Sequence, residues 1–257
     1  MRQTIKKILP TFLINCYINC RMKKNLLFHK GDNVVCPICN SKFKKFGPIG
    51  LTKNRKCHKC GSFGRHRLLW MYFNEKTDLF KTNNKIRLLH FAPEKVFYDI
   101  FSNSTNIEYY PCDLTPEIYA HYEKKVKINK VDITKIPFEE NYFNVIICSH
   151  VLEHITDDAL AMSELYRVLK KGGWTILQVP IDYNREITYE DFSITTAKGR
   201  EKAFGQHDHV RIYGCDYKNK LKNIGFIVNE DDFAKSFSYE DLLRYRIDPD
   251  FIYNCKK

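Results

Sequence analysis

Residues Lys130–Asp158 read KVDITKIPFEENYFNVIICSHVLEHITDD, and their pattern decides the fold class. Val145-Ile146-Ile147-Cys148 is an apolar run of strand length that stops abruptly at the polar pair Ser149-His150. An acid, Asp132, stands before a loop closed by Pro137. A helix follows in ALAMSELYRVLKK. Strand, loop, strand, loop, helix is the grammar of an open parallel sheet, in which ligands sit just beyond the carboxyl ends of the strands. Asp132, Ser149 and His150 occupy that edge.

The same alternation extends on both sides. Upstream, strand-like IRLLHFA, IEYYPCD and VKINKVD alternate with helix-like EKVFYDIFSN and PEIYAHYEKK. Downstream, Gly172-Gly173 precedes the strand WTILQVP, with a glycine expected to cap the preceding helix in the left-handed conformation. Such alternation predicts crossover units and a mostly parallel sheet. Ile181–Gly214 is a long polar, aromatic-rich connection, and connections of that length in compact domains usually carry function. The helix DYKNKLKNIG, the strand FIVNE, the helical segment SYEDLLRYRI and a last strand FIYNCKK close the chain.

The N-terminal quarter differs. Residues 1–67 carry 16 Lys/Arg against the single acid Asp32, a charge of +15 within a chain of +12, so the remainder is slightly acidic. This patch suits phosphate, whether of nucleic acid or of an anionic membrane surface; a solvated lysine-rich face is the plainer reading. Residues 1–30 form a basic leader that could make an amphipathic helix with Phe12, Leu13, Ile14, Tyr17 and Ile18 on its apolar side. Asn15, Asn19 and Arg21 argue against a signal peptide, and no apolar run is long enough to span a bilayer. Ten cysteines in 257 residues, mostly scattered, indicate a reducing, cytoplasmic setting, with peripheral attachment at the inner membrane face as an option for the leader. Four cysteines are not scattered. Cys36/Cys39 and Cys57/Cys60 form two C-x-x-C pairs separated by 17 residues, the spacing of two knuckles that hold a structural zinc ion in a zinc ribbon over residues 31–67. A closed four-thiolate site leaves no position for substrate, so its default role is to hold a short segment folded. RHRLLWMYFNEKTDLF should then be a helix docked on a main domain of residues 68–257.

These words resemble the class I S-adenosylmethionine (SAM) methyltransferases, whose third and fourth strands end in comparable D-h-x-x-h-P-F and L-E-H patterns (h, apolar). The resemblance covers roughly residues 85–257. It implies a Rossmann-like α/β fold with a seven-stranded sheet, mostly parallel, whose last strand is antiparallel, preceded by the small zinc ribbon. It also implies the cofactor and the residues around it. The first loop, Phe91-Ala92-Pro93-Glu94, stands where relatives carry a glycine-rich turn and has no glycine; Glu94 would reach the SAM amino group or simply start the helix. Asp113, with Leu114 beside it, would accept both ribose hydroxyls, its alternative being a helix cap. Asp132 would accept from the adenine amino group with Ile133 covering the ring, its alternative being a turn residue. Ser149 and His150 would lie near the sulfonium. His154 is expected to pack beneath the helix start. In the long connection, Gln206, His207, Asp208, His209 and Arg211 cluster, and His209 oriented by Asp208 is the expected general base.

A narrower resemblance, carried by H-F-A-P-E, H-V-L-E-H and F-G-Q-x-D-H-V-R together with the ribbon, is to bacterial methyltransferases linked to cell-surface polysaccharide assembly. It implies a glycan or other small hydroxyl acceptor. Two other readings stay open: an RNA methyltransferase that grips phosphates with ribbon and leader, and a catalytically silent binding module.

Overall fold

The structure is a computed structural model that describes residues 26–122 and 125–257. The leader helix expected within residues 1–30 falls almost entirely outside the described residues. The chain forms two compact units, one comprising residues up to Thr77 together with Phe233–Asp250, the other Asp78–Asp232 with Phe251–Lys257.

In the first unit, strands β1 (Lys30–Val35) and β2 (Lys42–Phe43) pair antiparallel, as do β3 (Gly47–Ile49) and β4 (Thr52–Lys56). Each hairpin borders one cysteine knuckle, and the two knuckles repeat one backbone pattern. Cys36 N–H donates to the Ser41 carbonyl at 3.0 Å and Cys57 N–H to the Ser62 carbonyl at 2.9 Å. The residue after each second cysteine, Asn40 or Gly61, takes a positive φ of 54° or 75°, which Gly and Asn tolerate best. Helix α1 (Gly64–Lys76) follows. It belongs to this unit, as does the segment 233–250, so the compact body around the cysteines is larger than the ribbon expected over 31–67. Arg67 binds it together. Its guanidinium is fully buried and donates to the carbonyls of Ser62 (2.8 Å), Arg55 (3.2 Å), Tyr245 (2.6 Å) and Arg246 (2.8 Å), while stacking over Phe46. Desolvation lowers its pKa, and four carbonyl dipoles offset that burial.

The second unit is the expected α/β body. Its strands are β5 (Ile86–Phe91), β6 (Ile107–Asp113), β7 (Asn129–Lys130), β8 (Phe143–Ser149), β9 (Leu169–Gln178), β12 (Ile227–Asp231) and β13 (Ile252–Lys256). They lie in the order β12-β13-β9-β8-β5-β6-β7. All pairs from β7 to β9 are parallel, whereas β13 runs antiparallel to both neighbours. The central strands are apolar on both faces because helices cover them: Leu88, Leu89, Ile146, Ile147, Ile176 and Leu177 are all fully buried. Helices α2 (Lys95–Phe101), α3 (Asp158–Val168) and α5 (Tyr217–Ile224) alternate with the strands, and α4 (Ala197–Phe204) lies in the long connection. That connection is ordered by a two-residue ladder between β10 (Tyr189–Glu190) and β11 (Arg211–Ile212).

Three local expectations are corrected. Among the described residues of PEIYAHYEKK only a 3-10 turn forms, over Pro116–Tyr119, where the hydroxyls of Tyr119 and Tyr122 are drawn to Asp113 and the Pro93 carbonyl. VKINKVD contributes a strand of two residues, paired only with the end of β6. Gly172, at φ 75°, does not cap a helix, since α3 ends at Val168 and the glycine turns the backbone inside β9. Gly173 beside it admits no side chain, as a Cβ there would meet the Asn144 carbonyl oxygen at 2.8 Å. In the first unit, SYEDLLRYRI does form a helix, α6 (Tyr239–Tyr245).

Candidate functional site

The carboxyl ends of β5, β6, β7 and β8 are adjacent in the sheet, so topology alone brings the loops at 91–94, 113–115, 131–134 and 149–154 to one edge. Two of these loops turn through left-handed residues that are not glycine: Ala92 at φ 48° and His150 at φ 56°. Such backbone costs of order 1–3 kcal/mol and persists where the surroundings hold it. Here Ala92 N–H donates to the Cys112 carbonyl at 3.0 Å, and His150 N–H to the Gln178 carbonyl at 2.7 Å. The glycine-free first loop therefore follows a glycine-like path, with a single methyl resisting it. Phe91 and Pro93 are buried beside it.

Glu94 is the N-cap residue of α2 by backbone position, yet its side chain makes no cap. Instead Oε2 lies 3.0 Å from Nε2 of His90, a fully buried histidine whose Nδ1 is 2.9 Å from the Tyr109 hydroxyl. Tyr109 is held well above its ordinary pKa by burial, then by the nearby Glu94 charge. His90 is a partner of Glu94 that local pattern did not reveal; the one signal was a histidine inside a largely apolar strand.

Asp113 accepts the Thr115 N–H through Oδ1 and the Tyr119 hydroxyl through Oδ2, both at 2.7 Å. The first bond makes an Asx turn and not the helix cap considered as its alternative, since Thr115 occupies the cap position. Leu114 beside it is 58% exposed, an apolar side chain with a face to offer a ligand. Asp132 is exposed and accepts both the N–H (2.9 Å) and hydroxyl (2.7 Å) of Thr134, the turn role foreseen as its alternative. Ile133 is buried in the main core. The loop that follows is clamped to α3: Glu164 accepts the Ile136 N–H at 2.8 Å, and Arg167 donates to the carbonyls of Ile136 and Phe138.

At the end of β8, Ser149 is buried. His150 Nδ1 lies 3.3 Å from Oε1 of Glu153, whose side chain is only 2% exposed. His154 does not pack under the helix. It meets the His209 ring edge-on at 4.7 Å, and its Nδ1 lies 3.5 Å from Asp208 Oδ2. The pairing expected between His209 and Asp208 is thus replaced: the Asp208 carboxylate faces His154 and, at 3.9 Å, exposed His207. His209 is buried, and desolvation lowers its pKa. Gln206 is exposed. Arg211 is structural, donating from full burial to the carbonyls of Leu152 (3.0 Å), Ile155 and Thr156 (2.9 Å) and to Glu190 (2.9 Å).

Residues 96–177 match the methyltransferase domain. The ubiquinone/menaquinone biosynthesis C-methyltransferase of Neisseria meningitidis is 41% identical over 46 residues, 18% of this chain and 19% of that protein. The chain therefore aligns with about a fifth of the length of that relative. Among solved structures, a SAM-dependent methyltransferase from Archaeoglobus fulgidus superposes with a TM-score of 0.50 at 16% identity, covering 74% of this chain and 93% of the other. The [4+2]-cyclase SpnF superposes equally well, at 0.50 and 15% identity over 76% of this chain and 83% of its own. This chain shares their fold. Sharing it with a cyclase leaves the reaction to be argued from the site.

The four cysteines of the first unit are a second candidate centre. Their sulfur atoms all lie within 4.8 Å of one another, with Cys36–Cys60 at 3.5 Å and Cys39–Cys57 at 3.6 Å. A zinc–sulfur bond of about 2.3 Å gives a tetrahedral edge of about 3.8 Å, so this cage fits a zinc ion with a shift of tenths of an ångström. Ser62 Oγ lies 3.3 Å from Cys36 Sγ and 3.2 Å from Cys60 Sγ, and Arg67 sits behind Ser62. A buried cation beside four thiolates is favourable electrostatics for such a site. Among the described residues no helix is long and apolar enough to cross a membrane.

Proposed function

We propose that this chain is a SAM-dependent methyltransferase that methylates a hydroxyl group on a small-molecule acceptor, a glycan being the first class to try, and that the four cysteines hold a structural zinc ion. The observation that carries the reading is the convergence of Ala92, Asp113, Asp132 and His150 at four neighbouring strand ends of a methyltransferase-type sheet. SAM supplies an electrophilic methyl group on a sulfonium. The chain's own residues would bind and orient it: the Phe91–Glu94 loop passes the methionine portion, Asp113 accepts from the ribose diol, Leu114 offers an apolar face, and Asp132 accepts from the adenine amine. Methyl transfer then requires an acceptor held in line and, for a hydroxyl, a proton removed. His209, buried and biased toward its neutral form, and His154, oriented by Asp208, are the groups able to take that proton.

Titration calorimetry with SAM and its demethylated product tests the cofactor. Binding of both, weakened at least tenfold in Asp113→Ala and Asp132→Ala, is the expected result; absence of binding at millimolar ligand would sink the proposal. Transfer of labelled methyl groups into cell fractions tests the acceptor. Label in glycan supports the reading. Label on a quinone ring carbon would place the chain with its named C-methyltransferase relative, and label in RNA would move the acceptor to nucleic acid.

A further inference from the structure

Glu153, His154 and His209 each offer one ligand atom, and these atoms lie within 4.8 Å of one another. The three come from two segments far apart in sequence, and the fold fixes both. Val210 N–H donates to the Glu153 carbonyl at 3.0 Å, which sets the register of His209 against Glu153 and His154. Arg211, fully buried, holds the carbonyls of Leu152, Ile155 and Thr156 on either side of the two ligands. The triad is therefore preorganised.

Three further features match a metal centre. Glu153 is 1% exposed, and its Oε2 is buried with no hydrogen-bond partner among the described residues, while Oε1 is approached by His150. A carboxylate oxygen left unpaired at that depth costs free energy that a cation would offset. His154 also has an acceptor outside the triad, the Asp208 carboxylate 3.5 Å from its Nδ1. A second acceptor of this kind fixes the tautomer and leaves the other ring nitrogen free to ligate. Finally, two histidines and one carboxylate suit a borderline divalent cation such as Zn2+, Fe2+, Co2+ or Mn2+, and leave coordination positions open.

We infer that Glu153, His154 and His209 form a binding site for one divalent transition-metal cation, separate from the four-cysteine cage. Ligation requires the three donor atoms to close to about 3–3.4 Å of one another, a movement of an ångström or so, for which His154 is the least buried of the three. Its open positions would take an oxygen of an exogenous ligand. The inference concerns metal binding and stands whether or not the chain transfers methyl groups; in the metal-loaded chain His154 and His209 ligate the cation and do not take the acceptor's proton.

Titrating the full chain with Co2+ distinguishes the two centres by absorption. Cobalt on thiolates gives intense near-ultraviolet charge-transfer bands, whereas cobalt on imidazole and carboxylate gives only weak visible bands. We expect one equivalent that shows visible bands without thiolate charge transfer. Its affinity should fall at least tenfold in His209→Ala and in Glu153→Gln. Because those two residues are buried, His154→Gln, at a side chain 31% exposed, provides the variant least exposed to misfolding, with a thermal melt as control. Cobalt bound only with thiolate bands, or visible bands that persist unchanged in folded His154→Gln, would overturn the site.

Discussion

Tyr119 donates its hydroxyl to Asp113 at 2.7 Å, occupying one oxygen of the acid proposed to receive ribose. Burial and the carboxylate together raise the tyrosine's pKa, so the phenol stays a donor throughout the physiological range. A carboxylate oxygen accepts more than one hydrogen bond, so the contact orients Asp113 without blocking it. Asp113→Ala should weaken SAM binding at least tenfold. Tyr119→Phe, which loses one charge-assisted bond, should weaken it by about 1–2 kcal/mol. Calorimetry on both variants checks the order, and an effect of Tyr119→Phe larger than that of Asp113→Ala would contradict it.

Ala92 holds φ at 48° in the first loop. Only one methyl group resists that conformation, whereas a β-branched side chain resists it strongly. Ala92→Val should destabilise the chain by about 2–3 kcal/mol, and Ala92→Gly should be neutral or mildly stabilising. Denaturant midpoints of the two variants give the comparison directly; equal midpoints would show that the loop has another path.

Arg67 satisfies four backbone carbonyls from full burial. A lysine there offers a point charge in place of a planar fork, and a methionine offers no donor. Arg67→Met should cost about 3–5 kcal/mol, with Arg67→Lys intermediate. Native mass spectrometry should find at least one zinc per chain in the parent, lost on denaturing chelation. A mass equal to the bare chain before any chelator would refute the zinc assignment.

The clamp of Glu164 on Ile136 predicts a pH dependence. Hydrogen bonding from Arg167, together with the Ile136 N–H, lowers the Glu164 pKa despite partial burial. A carboxylate whose folded pKa is depressed contributes stability in full above its unfolded value, about 4.3, and loses it as pH falls through the folded value. The parent should therefore lose more urea resistance between pH 6 and pH 3 than Glu164→Gln does. Parallel curves would show that the clamp contributes nothing titratable.

Much of the edge was legible in local pattern. Asp113 and Asp132 stand where strand-like runs end, and both open Asx turns at the carboxyl side of the sheet. The short stature of β7 and the missing helix after Pro116 were not legible. They result from an edge position and from tyrosine hydroxyls, one of which, on Tyr122, reaches the Pro93 carbonyl 29 residues away. The His209 pairing failed for a related reason. Adjacency in sequence suggested Asp208 as the partner, but Asp208 lies in a turn that aims its carboxylate at His154. Asp208 is left exposed while His209 is buried.

By itself the sequence determined the alternation of strands and helices, the two cysteine knuckles and the acids at the strand ends. These are short-range matters of apolar period, turn chemistry and ligand spacing. Only the tertiary structure decided that 233–250 joins the cysteine unit, that His90 and Glu94 share a bond, and that Glu153, His154 and His209 meet. The first and last of these depend on buried arginines and backbone pairings between segments tens of residues apart, and the His90–Glu94 bond on the turn at Ala92 that joins strand end to helix start. Such contacts form only when desolvation makes an unpaired carbonyl or guanidinium costly, and that cost does not exist until the chain has packed.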